Sequence, residues 1–343
     1  MKQFLLLSLA VICICSTSFA KIWRVNNNSG VTADFTTLQA AHDGASSGDT
    51  IYLESSPNAY GGLNCSKKLA IIGTGYFLDQ NTDLQAFALS AKISGINFNA
   101  GSEGSSVEGV DFNGSSMSIY VNDIVVRRNR FSQDANPSSQ NIYTGTVNIN
   151  SGASNILITQ NFGIWITSNG SSTGILISNN YIIYSLNYGG TVASVNLNAN
   201  TVAIIKNNIF GRGVVTAFNS NISNNIMIDG SLSGSGNLIS NNIGNSTQFG
   251  NTNGNQQNIT MTTVFEGTGS NDGVFKLKSG SPAIGAGYGS TSANPVDCGI
   301  FGGTTPYKLS GLPAIPSIYF YTNQPVGSNS DPIDVQVKVR SNN

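Results

Sequence analysis

The chain has little charge. Among 343 residues, 16 are Lys or Arg and 17 are Asp or Glu, so charged groups make up 10%, against about 25% in ordinary soluble domains. This excludes a polybasic nucleic-acid binder and an acidic solvating tail. There is one histidine, His42, and four cysteines, and no Cys/His spacing suits zinc. The Gly-rich phosphate loop, the Gly-x-Ser-x-Gly elbow and the Gly-Asp calcium nonapeptide are all missing. Gly, Asn and Ser fill the space left by charge, with aliphatic residues recurring among them, so the chain has a core to bury.

Long apolar runs are absent except at the start. MKQ is a short basic region, FLLLSLAVICI is an apolar run of signal-peptide length, and Ser18-Phe19-Ala20 places small residues for cleavage after Ala20. Residues 1–20 are therefore read as a secretory signal and the product as secreted or held at the cell surface. Nothing later approaches the roughly 18 apolar residues of a membrane span. Cys13 and Cys15 each follow Ile, which does not suit lipidation. Cys65 and Cys298 lie near opposite ends of the mature chain, and a bridge needs Cα atoms within about 7 Å; no disulfide is expected.

What the chain does have is a repeat of the form aliphatic, two residues, Asn or aliphatic. It begins at Ile93, Val107, Val126, Ile158, Ile177, Ile205, Ile222 and Ile239, in steps of 14 to 32 residues. Short steps fit a solenoid whose turns bury apolar faces only by stacking. The units are too short for helix pairs, and their Ile, Val, Thr and Phe alternate at period two, so they read as strands. The longer steps hold Gly, Ser and Asn-rich loops such as Ser132 to Asn141. The recurring Asn tolerates the positive φ of a tight corner. Stacked in register, Asn129, Asn161, Asn180, Asn208, Asn225 and Asn242 would form a structural amide ladder. Ile96 and Val110 hold that position in the earlier units.

The stretch FTTLQAAHDGASSGDTIYLESSPNAYGG (Phe35 to Gly62) resembles the start of right-handed parallel β-helix proteins of the pectin-lyase-like superfamily, in which a short helix caps the first coil and "GDTI" leads into a strand. Leu38, Ala41 and Ala45 share one face of that helix; Thr36 or Thr37 can cap it, and Gly48 can end it. FKLKSGSPAIGAG (Phe275 to Gly287) and DCGIFGG (Asp297 to Gly303) resemble the family's closing coil. Pro306 to Tyr321 and Val335 to Asn343 resemble the tail of uncharacterised exported β-helix proteins of Bacteroidetes-type bacteria. The expected layout is a signal peptide over 1–20, an all-β right-handed parallel β-helix over 21–303 with a capping helix at 35–48, and a tail over 304–343.

The resemblance implies activity on acidic polysaccharides, which needs a base and a cation for a lyase, or two carboxylates for a hydrolase. Of the galacturonan-hydrolase motifs only Asn81-Thr82-Asp83 is present, too early and without its partners, and the Arg-x-Pro-x-x-Arg of pectate lyases is missing. His42 is read as a helix-surface residue. Arg127, Arg128 and Arg130 form the one basic cluster, either an anion clamp for a uronate or a structural set, with Glu108 one coil earlier able to pair with Arg127. Seven residues past their anchors stand Trp165, Tyr184, Arg212 and Asp229. They read as a sugar-binding column, or else as core rings beside an Arg212–Asp229 surface pair. Tyr143 and Tyr188, in the loopy inserts, could extend that groove or merely pack it.

The leading reading is a non-catalytic β-helix that binds a polysaccharide or cell-surface glycan or builds the surface. The alternative is a polysaccharide lyase or glycoside hydrolase. The balance leans away from an enzyme. No cofactor is expected, calcium being called for only in a lyase, and no metal site, nucleic-acid partner or transmembrane segment. A monomer is expected.

Overall fold

A computed structural model describes residues 20–133, 143–184, 192–327, 330 and 332–342. The signal segment, most of the Ser132 to Asn141 stretch and Tyr188 lie outside these residues. Ten short parallel strands, from Ile22–Val25 through Val125–Arg127 to Leu238–Ser240, form the first face of a stack. A twelve-stranded sheet supplies two more faces. Its strand Phe162–Ser168 belongs to both: Phe162 and Ile164 pair with Tyr181 and Ile182 on the second face, while Trp165 to Ser168 pair with Thr146 to Ile149 on the third. Each coil runs from face one, around a corner, to faces two and three, and then up one level. The fold is a right-handed parallel β-helix.

Alternation along each strand turns one row of side chains inward. On face one the inward row is Ile51, Ile71, Val107, Val126, Ile158, Ile177, Ile205, Ile222 and Ile239, joined in register. Every member from Ile51 to Ile222 is fully buried. The unit proposed at Ile93 is corrected: Ile71 precedes Val107 in the row. Lys92 pairs with Asp111 on face two, and Ile96 lies in the face-three strand Ile96–Phe98. Residues 73–90 leave the coil between Ile72 and Lys92, and this excursion hid the true register behind a similar pattern.

The first coil is covered by helix α1 (Leu38–Gly44), with Leu38, Ala41 and Ala45 turned into the core. Thr37 accepts the Ala40 amide at its start. The helix stops at Gly44, short of Gly48, because the Ala45 amide bonds back to Ala41 and His42, and the Lys67 ammonium caps the carbonyls of His42, Asp43 and Ala45. The cation suits the negative end of the helix. His42 is buried rather than on the helix surface. Its Nε2 accepts the Ser66 amide at 3.0 Å, and Nδ1 lies 2.9 Å from Asp43 Oδ1.

At the other end, Phe249 enters the main core. Residues 259–312 do not add a closing coil there. They return along the outside of face two, where Phe162, Tyr181, Ile209, Ile226 and Ile243 pack under Phe275, Ile300 and Tyr307 in a second core. The Tyr181 and Phe275 rings stack at 4.4 Å. The return segment is pinned by the fully buried Asp272, which accepts the Ser310 amide and the Ser270 hydroxyl. Cys65 and Cys298 are both free and buried. Beyond the return segment, Ser317–Asn323 and Val335–Arg340 form an antiparallel hairpin off the stack. No helix among the described residues is long and apolar enough to cross a membrane.

Candidate functional site

The two residues at each corner, Asn-Asn in four coils, Arg128-Asn129 and Gln160-Asn161 in the other two, divide tasks that the sequence had merged in one residue. The first position of each pair makes the corner: Arg128, Gln160, Asn179, Asn207, Asn224 and Asn241 hold φ between +54° and +58°. The second position, Asn129, Asn161, Asn180, Asn208, Asn225 and Asn242, is fully buried. Each of these amides donates to the Oδ1 of the Asn one coil on and to a strand carbonyl one coil back. For Asn208 these are Asn225 at 3.0 Å and Ile177 at 2.9 Å. Its Oδ1 accepts the backbone and side-chain N–H of Asn180. The chain of bonds continues to Asn255 and starts at Val110, whose amide donates to Asn129. A carboxamide with its donors and acceptor used in this way carries no buried penalty.

The corner side chains point outward and hold the return segment. Asn241 donates to the Ala286 carbonyl, Asn207 to Asp297, Asn179 to Ile300 and Gly302, Gln160 to Thr305 and Arg128 to Leu312, while Asn224 accepts the Tyr288 amide. Partner numbers rise as corner numbers fall, so the segment runs antiparallel to the stack.

The arginine cluster is spent on this framework. Glu108, nearly buried, receives Arg127 on one oxygen and Arg128 at 3.0 Å on the other, and the second oxygen also accepts the Ala314 amide. Arg128 Nε donates to Gln160. Arg130 pairs with the buried Asp111 at 3.3 Å and lies over the Phe77 ring. Burial lifts the Asp111 carboxyl above its ordinary range, with Arg130 opposing the lift. Arg128, held between the Glu108 carboxylate, Gln160 and the Leu312 carbonyl, has its recognition edges occupied, whereas Arg127, which is partly exposed, and Arg130 bond Glu108 and Asp111 but leave Nε without a partner among the described residues. Among the described residues no group of His, Cys, Asp and Glu could hold a metal ion.

The aromatic column is only partly assembled. Trp165 is half-buried between the inward Ile164 and Ile166, and it pairs with Thr146 on face three. Ile183, not Tyr184, pairs with Arg212, because a bulge intervenes. The Arg212 guanidinium nevertheless lies over the Tyr184 ring at 5.7 Å. Asp229 is exposed and accepts the Gly230 amide. Tyr143 is exposed.

A recess lies elsewhere. At the first coils the outer surface of face one, residues 85–89 and the end of the return segment enclose a groove of about 700 Å³, within the usual range for ligand sites. Tyr52 and an exposed Phe87 line it, with Leu89, Pro313 and Ile315. Its polar groups are fixed: Glu54 accepts Arg24 Nε at 2.6 Å and Asn26 Nδ2 at 2.7 Å, and Asn28 donates to the Ser55 carbonyl. Burial, then the Glu54 charge, raises the Tyr52 phenol above its ordinary range. These residues come from four distant segments with no common spacing. No periodic signal could have found them.

No family model and no curated protein matches the chain. Among solved structures it is similar to one titled "Crystal structure of pectate lyase Pel9A", at 13% identity over 83% of this chain and 96% of that one, with a TM-score of 0.40.

Proposed function

We propose that the chain is an exported, extracellular β-helix module, of the pectin-lyase-like kind seen in Bacteroidetes-type bacteria, that binds a glycan without cleaving it. The observation that carries this reading is the groove at the first coils. Its apolar floor and two aromatic rings suit the C–H faces of a sugar. Glu54 is its one carboxylate, and both of its oxygens are already engaged by Arg24 and Asn26. Hydrolysis calls for a pair of carboxylates. A lyase calls for a cation free to meet the uronate, whereas Arg127, Arg128 and Arg130 are bound to Glu108 and Asp111.

The test is native affinity electrophoresis through gels cast with pectin, alginate, chondroitin sulfate or xylan, each then stained for polysaccharide. Retardation over intact stain, lost in Phe87→Ala and kept in Trp165→Ala, supports the groove. The reverse pattern moves the site to the Trp165, Tyr184 and Arg212 patch. A cleared track means depolymerisation and replaces binding with a lyase or hydrolase. Free migration on every gel leaves a structural surface protein.

A further inference from the structure

Asp49 stands immediately before the face-one strand Thr50–Leu53 and is nearly inaccessible to water. Its carboxylate collects three N–H donors. The Lys21 backbone nitrogen lies 2.8 Å from Oδ1, the Ser46 amide 2.8 Å from Oδ2, and Trp23 Nε1 2.9 Å from Oδ2. Burial pushes this carboxyl up, but the three hydrogen bonds outweigh it and leave it below the usual carboxylate range. Lys21 is held from its other side too, because the Thr50 amide donates to its carbonyl at 2.8 Å. The Lys21 ammonium lies over the Trp23 ring at 3.2 Å from the centroid. Backbone nitrogen, carbonyl and side chain of this one residue are all fixed, although it is exposed.

Lys21 is also the residue after the expected cleavage point, Ala20. Hydrolysis of the Ala20–Lys21 bond adds water across the amide: the oxygen goes to the Ala20 carboxylate and the nitrogen leaves as the Lys21 α-amine, which takes up a proton at neutral pH. We infer that Asp49 is the built receptor for this new α-ammonium, so that signal removal turns an amide hydrogen bond into a charge pair that fastens the first strand, Ile22–Val25, to the stack. The atoms already stand at charge-assisted hydrogen-bond distance, and the exposed side of Lys21 leaves the other ammonium protons to water. This inference rests on the cleavage reading and is independent of glycan binding. Besides Asp49, the side-chain ammonium of Lys21 itself acts on this site.

The intact mass and N-terminal sequence of the exported protein come first; a start at any residue other than Lys21 overturns the inference. The chain beginning at Lys21 is then compared with the same chain retaining Ala20, each with Asp49 and with Asp49→Asn. In the Ala20 form the Lys21 nitrogen stays an amide. Asp49→Asn is expected to lower the Tm about 2–4 °C more in the Lys21 form than in the Ala20 form. The difference isolates the charge pair, because the effect of the carboxamide on the Ser46 and Trp23 bonds is common to both forms. Equal losses refute it. Should Asp49→Asn fold in neither form, acylation of the α-amine at pH 7 decides with the unsubstituted proteins. The Lys21 form is expected to react about tenfold more slowly, equivalent to one pKa unit, and equal rates overturn the assignment.

Discussion

Replacing Asn208 with Leu should cost far more than replacing Asn219 with Leu, although both are asparagines next to a corner. Leu at 208 fills similar space but leaves the Asn180 backbone amide and one Asn180 side-chain N–H without their acceptor, and the Ile177 carbonyl without a donor. All of these bonds are buried, so water cannot replace them. Each orphaned donor costs about 1–3 kcal/mol, so the two donors alone give about 2–6 kcal/mol. Asn219 is exposed with φ of +49°, so Leu there meets only the left-handed strain of about 1–2 kcal/mol. Urea titrations followed by β-type circular dichroism would read the two midpoints. A solenoid loses cooperativity when one interface weakens, so Asn208→Leu should also broaden the transition. Equal midpoints for the two variants would refute the ladder energetics.

Deleting residues 35–47 removes α1 and uncovers the first coil's strand edges, so aggregated protein is expected; a soluble monomer with unchanged circular dichroism would show that the helix does not cap. Asp111→Asn should change the pH dependence of stability. Because burial raises the folded-state pKa of Asp111 despite Arg130, the folded protein holds this proton more tightly than the unfolded chain. Its contribution is therefore fully present below the ordinary carboxylate pKa of about 3.9 and is lost as pH rises through the raised value. Asn removes that loss, so the wild type should fall relative to the variant as pH rises through this window, measured as Tm against pH; parallel curves would count against the assignment.

The sequence by itself determined the solenoid. Its coils repeat an inward aliphatic row and a buried Asn at spacings such as the 17 and 19 residues that separate Asn208 from Asn225 and Asn161 from Asn180. A pattern that near in sequence is readable because each coil buries its face only against the next. The α1 apolar face at Leu38, Ala41 and Ala45 was legible for the same local reason. Only the tertiary structure decided what the outside of the stack does. Asn179 meets Ile300 across 121 residues and Arg128 meets Leu312 across 184, and no period links such pairs. The pairing of Arg127 with Glu108 one coil earlier was legible in the register, but the anion-clamp reading stayed open until the returning chain at Leu312 closed over Arg128. The burial of His42 was hidden likewise, because the Ser66 amide that holds it belongs to the next level of the stack. The groove between Tyr52, Phe87 and Ile315 exists because the return segment comes to rest beside the first coils, where outward side chains with no shared pattern of their own are gathered.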